Sequence, residues 1–427
     1  MSESKTIKYT PMQILIRLVS AGARKECITD LQVDWHAVLP LAVEQNVLSL
    51  VACALLHSPE LKCPAELREA LLNAMRNEAS VNLIRRQRIT KLLHGMKQAG
   101  IEAKVLKGYA LSGCYAYPEC RGSVDTDLLI DVNHEKQAIE FFEAQGFRID
   151  PRAATSHHTI CQHKKYGMVE VHVSLYEELV QDIWLQDFSQ DELVREDPIS
   201  VEDAGGDIHT LGCNDMLIFL SLHMAKHFIL SGLTLKMMLD IALYYARNKD
   251  TIDVERYWST LEKLHYDKLV NGILWNMIHA GGFFVEDFPG LQSKNPSQMQ
   301  LILRDLEQGG YMGAKESAER LESGMEYNRQ LMRKKQNAEQ YCLRMLGLKI
   351  KSGAKYMFPS AKVLRNLYPI TKNVPVLMPL LWVWQVFSFP VKKVRSGSLR
   401  RNVRLENTPV TKTAEGRLTM FKELEML

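Results

Sequence analysis

Apolar residues in the first part of the chain recur at helical spacing. After Pro11, which can occupy the first turn of a helix, they recur three and four positions apart at Ile14, Leu15, Leu18 and Val19. Residues 35–57 continue this spacing, and residues 66–99 extend it over a long segment. The pattern therefore predicts a helical N-terminal region over residues 1–100.

The long segment 66–99 has an apolar stripe and a basic cluster. We expect the stripe to contain the apolar residues Leu71, Met75, Leu83, Ile84, Leu92 and Leu93. The basic cluster consists of Arg85, Arg86 and Arg88. Two interpretations remain open for it: a solvated helix face, or a contact with a phosphate or a partner.

The spacing changes after residue 100 from the period of a helix to that of strands. A short apolar run, Val105-Leu106, ends at Lys107-Gly108, and a strand-like run over 124–131 follows a short helical segment. Residues 158–163 and 168–175 predict a hairpin with its turn at 164–167. From Cys213 onward the helical period returns.

These changes predict an α+β fold. We expect a small mixed sheet between an N-terminal helical region and a C-terminal helical domain. We expect the boundaries at residues 1–100 for the helical region, 101–212 for the core, 213–345 for the helical domain and 346–427 for an apolar and basic extension.

Two carboxylates stand one residue apart on the strand predicted at 124–131. Because side chains alternate along a strand, Asp125 and Asp127 leave the same face. Two acids on one face repel each other unless a cation lies between them, and Mg²⁺ is held in proteins by one or two carboxylates together with substrate phosphates. The spacing favours a metal site, and a solvated strand start is the alternative.

The segment that contains these acids resembles a known family. It has Leu-Lys-Gly at 106–108, Tyr117-Pro118, Arg121, and then Asp-Thr-Asp-Leu-Leu-Ile at 125–130. This order is similar to an uncharacterised bacterial nucleotidyltransferase family in the DNA polymerase beta-like superfamily, with kanamycin nucleotidyltransferase and poly(A) polymerase as distant relatives. The resemblance runs from about residue 41 to about residue 381, and residues 107–131 are its specific part.

The resemblance implies a set of site residues. Asp125, Asp127 and Glu170 would be catalytic and would hold Mg²⁺ or Mn²⁺, with Glu170 matching the family's Val-Glu-x-His pattern. Lys107, Gly108 and Arg121 would meet the triphosphate of ATP or another nucleotide. The turn here reads Lys-Gly-Tyr, so it lacks the Ser that often touches a phosphate in the wider superfamily.

The chemistry implied is nucleoside monophosphate transfer by a two-metal mechanism, in which two ions stabilise the attacking and leaving oxygens. Glu170 could also take the proton of the acceptor hydroxyl. For Glu170 and His172, the exposed face of an edge hairpin is the alternative. The acceptor stays open between a protein side chain, a small molecule and an RNA end.

A second group of polar residues follows in the helical domain. The family has a histidine-bearing helix and then a basic residue and an Asp-Ile-Ala segment. The matching residues here, together with His172 in the core, are candidates for lining the cleft: His223, His227, Lys236 and Asp240. A His–Asp pair that joins two helices is the alternative.

Composition narrows the class of protein. The chain has 427 residues, of which 46% are hydrophobic and 24% are charged, as in ordinary globular proteins. The net charge of +3 is too small to indicate nucleic acid as a bulk partner. The 8 cysteines are scattered without a C-x-x-C pair, so we expect reduced thiols, no structural zinc and a cytoplasmic protein.

The C-terminal extension has its own pattern. An apolar stretch over 374–389 contains Trp382 and Trp384, and a run over 391–404 has several Lys and Arg residues and no acid. Such a pair can bind the surface of an anionic membrane. A docked helix with a basic tail is the alternative. If the acids were silent, the chain would be a nucleotide-binding or assembly module that this tail connects to a membrane or partner.

Overall fold

The computed structural model describes residues 9–123, 125–149, 158–176, 184–185, 188, 190–203, 206–309, 315, 317–335 and 412–427. Helices from both ends of this set flank a small mixed sheet. The fold class is therefore α+β, as the alternation of helical and strand periods predicted.

The N-terminal region is helical. It consists of α1 (Pro11–Arg24), α2 (Trp35–Glu44), α3 (Leu48–His57) and α4 (Ala65–Gln98). Thr10 begins α1, because its hydroxyl accepts a hydrogen bond from the backbone N–H of Gln13. The continuous helical spacing over 35–57 was misleading, since Asn46 adopts a left-handed backbone with φ of 52° and separates α2 from α3.

The buried face of α4 differs from the stripe read off the sequence. Leu71, Met75 and Leu92 are buried as expected, but Leu83 and Ile84 are exposed. Arg86 is buried instead, so the solvated-face interpretation of the basic cluster is wrong for this residue. The stripe shifts because the middle of α4 packs against the polar loop before Asp125, where Asn82 donates to the carbonyl oxygen of Glu119 at 2.8 Å.

The core is a five-stranded sheet in the order β1-β2-β5-β4-β3. Its strands are β1 (Ala103–Leu106), β2 (Asp125–Ile130), β3 (Arg148–Ile149), β4 (His158–His163) and β5 (Gly167–His172). The pair of β2 and β5 is parallel, and the other neighbours are antiparallel. The hairpin predicted over 158–175 is confirmed by β4 and β5.

One face of this sheet is apolar and the other is polar. Cys161, Val169 and Val171 are fully buried on the apolar face. A short helix, α5 (Tyr109–Ser112), follows the turn after β1. Helix α6 (Glu135–Ala144) contacts β3 beside the apolar face, and its Phe142 packs edge-on against Phe147. The alternation expected along β5 is confirmed, because Glu170 and His172 point to the opposite, polar face.

A short hairpin and a helical layer complete the described fold. Strands β6 (Ile199–Asp203) and β7 (Gly206–Thr210) lie beside β1, where the Thr210 hydroxyl donates to the carbonyl oxygen of Val105 at 2.6 Å. The later helices are Gln190–Leu193, Cys213–Leu230, Leu235–Asn248, Val254–Lys263, Asp267–Gly281, Pro296–Gly309, Ser317–Lys335 and Lys412–Glu423.

Asparagine is a typical helix N-cap, but neither Asn133 nor Asn214 caps the helix beside it. Asn133 lies inside a 3-10 turn, and the Asp131 carboxylate accepts its backbone N–H at 2.7 Å before α6 begins. Asn214 lies in the first turn of the helix Cys213–Leu230 rather than before it. The Glu196 carboxylate accepts its backbone N–H at 2.7 Å, so a residue distant in sequence caps this helix.

The last helix of the described fold is Lys412–Glu423. Its Arg417 is buried, and its guanidinium binds the Asp305 carboxylate and the backbone oxygen of Phe228. Arg320 donates to the same carboxylate at 2.9 Å. This network connects the end of the chain to the helix Cys213–Leu230.

Candidate active site

Three carboxylates meet on the polar face of the sheet. Asp125 and Asp127 lie on β2, and Glu170 lies on the parallel neighbour β5, where its Cα is paired with that of Asp127. Paired positions on adjacent strands project their side chains from the same face. Asp127 is only 3% exposed, so its carboxylate is costly to bury without a cationic partner.

Lys107 supplies one such partner. It follows the last residue of β1, Leu106, which is paired with Asp127. Its Nζ lies 3.3 Å from Oδ2 of Asp127 and 3.9 Å from Oδ2 of Asp125. Burial opposes the charge on this amine, but the two carboxylates outweigh burial and hold the pKa of Lys107 above its ordinary value.

The backbone at this turn is unusual. Lys107 has a φ of 36° and Gly108 has a φ of 51°, so two successive residues adopt positive φ. Positive φ is uncommon for a residue other than glycine. The turn directs the Lys107 ammonium back over the strand that carries the two aspartates, which indicates that the strain serves the site.

His172 is the second partner of these carboxylates. Its Nε2 lies 3.2 Å from Oδ1 of Asp127 and 3.5 Å from Oε2 of Glu170. Burial would lower the pKa of His172, but its hydrogen bonds to Asp127 and Glu170 prevail and raise it. The same hydrogen bond from His172 is the main cause that lowers the pKa of Glu170.

The donor set fits a divalent cation. Ligand atoms of Asp127, Glu170 and His172 all lie within 4.8 Å of one another. Asp125 adds a further carboxylate on the same face, and the Lys107 ammonium brings positive charge to the point where the acids converge. Oxygen-rich clusters of this kind suit Mg²⁺, and an imidazole beside them also suits Mn²⁺.

A cleft of about 270 Å³ opens beside the cluster. The sheet forms one wall, and the helix Cys213–Leu230 forms the other through Phe219, His223 and His227. The two histidine rings have their centroids 4.6 Å apart, as their spacing of four residues predicts. Burial holds the pKa of His223 well below its ordinary value, so this ring is neutral at neutral pH.

A family comparison now adds to this geometry. The sequence model of a family described as uncharacterised nucleotidyltransferase matches residues 32–279. The chain belongs to this family. No curated protein and no solved structure matches it. The matched region of the nucleotidyltransferase includes every strand of the sheet, the three carboxylates and both histidines of the cleft wall.

Three polar side chains predicted for the site, Arg121, Lys236 and Asp240, do not line this cleft. Arg121 is buried, and its Nε and one terminal nitrogen donate to the two carboxylate oxygens of Asp240 at 2.9 and 2.6 Å. The Tyr115 hydroxyl also donates to Asp240, at 2.6 Å. The described partners of Asp240 are therefore an arginine and a tyrosine, not the histidine that the alternative interpretation named.

Lys236 lies next to this pair. Its ammonium donates to the backbone oxygen of Gly122 at 3.1 Å, and burial lowers its pKa to about 8. Together Arg121, Asp240 and Lys236 connect the helix Leu235–Asn248 to the loop before Asp125. They hold the loop that leads into the carboxylate strand, and a direct contact of Arg121 with a phosphate stays a prediction.

The sequence analysis did not identify some of the residues that line the cleft. Lys226 and Tyr176 also line the cleft. Lys226 lies one residue before His227, so its position between the two predicted histidines was the available signal. Tyr176 follows the predicted hairpin without a motif of its own, and nothing in the sequence pattern identified it.

Ser123 was also missed. A Cβ placed on Gly108 would lie 3.3 Å from the Ser123 hydroxyl, so a serine oxygen stands beside the glycine turn. The Lys-Gly-Tyr turn of this chain has no serine of its own, but the loop before Asp125 places Ser123 beside the turn. Only the three-dimensional contact between two loops could have identified it.

The expected membrane contact concerns residues 374–389 and 391–404, which lie outside the described part of the chain. None of the helices in the described part is both long and apolar enough to cross a membrane. His157, which precedes the predicted hairpin, also lies outside the described part. His158 lies beside His172 with ring centroids 5.2 Å apart, while His163 is at the opposite end of β4.

Proposed function

We propose that this nucleotidyltransferase moves a nucleoside monophosphate from a nucleoside triphosphate to an acceptor hydroxyl, with divalent metal at Asp125, Asp127 and Glu170. The observation that supports this most is the parallel pairing of Asp127 with Glu170, which gathers three carboxylates on one open face. An exposed edge hairpin would not need its acids beside two buried or half-buried cations.

The acids would divide the metal sites between them. Asp125 and Asp127 would hold an ion together with the phosphates of the donor, and Glu170 would complete a second site with Asp127. When bound, divalent ions supply Lewis-acid stabilisation of the phosphoryl oxygens and of the attacking and leaving groups.

The transfer step is a balanced displacement at the α-phosphorus. The acceptor oxygen forms a bond to this phosphorus, the bond from the phosphorus to the bridging oxygen breaks, and pyrophosphate leaves with the electron pair. The carboxylate of Glu170 receives the proton of the acceptor hydroxyl. Its pKa is lowered by His172, so Glu170 is ionised and ready to accept at neutral pH.

The chain's own cations have separate tasks. The Lys107 ammonium, 3.3 Å from Asp127, is near enough to turn from the carboxylates to the triphosphate and offset the charge on the leaving pyrophosphate. His172 would orient Asp127 and Glu170 through its hydrogen bonds. The Ser123 hydroxyl beside Gly108 donates to the backbone oxygen of Asp125 at 2.9 Å, and it would have to turn from that oxygen to offer the phosphate contact that the Lys-Gly-Tyr turn lacks.

A second candidate function is a nucleotide-binding module without turnover. The observation that favours it is the ion pair of Lys107 with the aspartates, since a lysine can neutralise acids that no longer hold metal. The tail would then connect the module to a membrane or partner.

Mass spectrometry of reaction products distinguishes the transferase from the nucleotide-binding module. The protein is incubated with Mg²⁺, each common nucleoside triphosphate in turn, and a cell lysate. Transfer predicts a lysate component that gains the mass of one nucleoside monophosphate, and this product should be missing with Asp127→Asn. Triphosphate binding with no product from any donor or lysate fraction would support the silent module.

A further inference from the structure

A row of side chains runs across the polar face from the carboxylates to the edge of the sheet. Asp125 is paired with Met168, Met168 with Gln162, and Gln162 with Arg148. Paired positions share a face, so these side chains form one line across four strands. The line spans three strand spacings, or about 14 Å.

This row is open to solvent. Asp125, Met168 and Gln162 are partly exposed, and Arg148 is exposed. The reverse face at the same level is buried, with Cys161 and Val169 fully covered. The polar face therefore offers a path that begins at the metal-binding acids and ends at the edge strand.

The outer half of this path is a basic groove, defined here as the groove at the β4–β5 turn. It encloses about 770 Å³, and its lining includes Arg148, Gln162, His163, Lys164, Lys165 and Met168. None of the described residues that line it is acidic. Lys164 and Lys165 are exposed, so their charges face solvent.

The turn that presents these lysines is held by α4. Arg88 donates to the backbone oxygen of Lys165 at 2.8 Å. Arg85 donates to the backbone oxygen of Ser123 at 2.5 Å. Its guanidinium also lies against Gly167, 3.6 Å from the position that a Cβ would have there. The arginine cluster of α4 thus fixes the turn relative to the loop before Asp125 and adds to its positive field.

Aromatic rings flank the same turn. The His163 ring lies 4.9 Å from that of Tyr166 and 5.0 Å from that of Phe147, centroid to centroid. Phe147 is buried and packs edge-on against Phe142, so these rings fix the turn against the apolar side of the sheet.

We propose that the groove at the β4–β5 turn binds the phosphate backbone of a single-stranded RNA, whose terminal hydroxyl reaches the carboxylates as acceptor. This rests on the proposed function only for the role of the terminal hydroxyl. The cations of the groove lie on the β4–β5 turn and on the edge strand β3, and this spread fits successive phosphates of a strand rather than one small phosphate. The open groove of about 770 Å³ can accommodate a polymer, whereas the cleft beside the acids is smaller, at about 270 Å³.

Fluorescence anisotropy of a labelled single-stranded RNA with a free 3′ hydroxyl tests the groove. The variant Lys164→Gln/Lys165→Gln should bind roughly tenfold more weakly at low salt. Losing two phosphate contacts should also reduce the slope of log K against log salt by about 1.4, at roughly 0.7 per contact on a single strand. The matched control Lys62→Gln/Lys263→Gln removes two exposed lysines from other elements and should bind like wild type. Circular dichroism of each variant checks the fold.

Equal RNA affinity of wild type and the groove variant would overturn the proposal, as would an equal loss in the control. Equal competition by an acidic polypeptide such as poly-glutamate would assign the groove to a protein instead. Transfer to some other acceptor by a protein that does not bind RNA would overturn the groove and leave the proposed function standing. Groove-dependent RNA binding with no transfer from any donor would leave the groove and overturn the function.

Discussion

Asp127 and Glu170 are paired across two parallel strands, and His172 contacts both of their carboxylates. This relationship joins the first acid pair to the third acid, and it places an imidazole next to two carboxylates. The predictions below test what the pairing and its neighbours do.

The aspartates should be required for metal-dependent nucleotide binding. Asp125→Asn with Asp127→Asn removes two anionic ligands from one face without changing side-chain size. We expect affinity for a triphosphate in Mg²⁺ to fall by at least about tenfold, or about 1.4 kcal/mol. Calorimetry with and without Mg²⁺ measures this. An unchanged affinity in the folded variant would remove the aspartates from the metal site.

Lys107 should stabilise the metal-free protein. Lys107→Met leaves Asp125 and Asp127 without the ammonium that they share, so unfolding should cost about 1–3 kcal/mol less. Added Mg²⁺ should then raise the melting temperature of the variant more than that of wild type, because metal relieves a larger repulsion. Lys104→Met, within β1, is the matched control. A smaller Mg²⁺ response in the Lys107 variant would contradict the cation's role.

Arg121 and Asp240 should act as a structural pair. Asp240→Asn leaves a buried guanidinium without its counter-charge and should destabilise the protein by about 3–5 kcal/mol in urea unfolding. Arg121→Met with Asp240→Leu removes both charges and should recover most of that loss. Triphosphate affinity of this double variant decides the role of Arg121: a large decrease would mean that Arg121 does contact the phosphates.

His223 should make stability depend on pH. Its folded-state pKa lies well below that of the unfolded chain, because burial disfavours the charged ring. Between these two values the unfolded state binds more protons, so stability falls as the pH drops below about 6.5, by at most about 1.4 kcal/mol per pH unit. Urea midpoints of wild type and His223→Phe at several pH values should diverge in this window. The same pH dependence of the urea midpoint in both proteins would contradict the lowered pKa of His223.

The sequence predicted local features of the site well. The face shared by Asp125 and Asp127 and the face of Glu170 both follow from the side-chain period of a strand, and the structure confirms both. The helix Leu235–Asn248 and the hairpin of β4 and β5 were also predicted from periodicity. Each of these features depends on neighbours that are close in sequence.

Long-range contacts were beyond the sequence pattern. Arg121 and Asp240 are 119 residues apart, and no periodicity indicates that they pair. Leu83 and Ile84 are apolar, as expected for a buried stripe, yet they are exposed. Arg86 is buried instead, because the middle of α4 packs against the loop before Asp125. Which strands pair, and which polar side chains are covered, is decided by tertiary packing.

Glu170 tests the central claim most directly. Triphosphate and its metal can be held by the aspartates and the phosphates, whereas Glu170 is needed for the acceptor's proton and the second metal site. Glu170→Gln should therefore bind triphosphate in Mg²⁺ like wild type but transfer about 10²–10⁴-fold more slowly. Glu143→Gln, at an exposed position on α6, is the control and should keep both properties.

The decisive measurement is labelled nucleotide transfer to lysate components, run beside a binding titration of the same preparations. Our account predicts unchanged binding and lost transfer for Glu170→Gln alone. A Glu170→Gln protein that transfers as fast as wild type would contradict it.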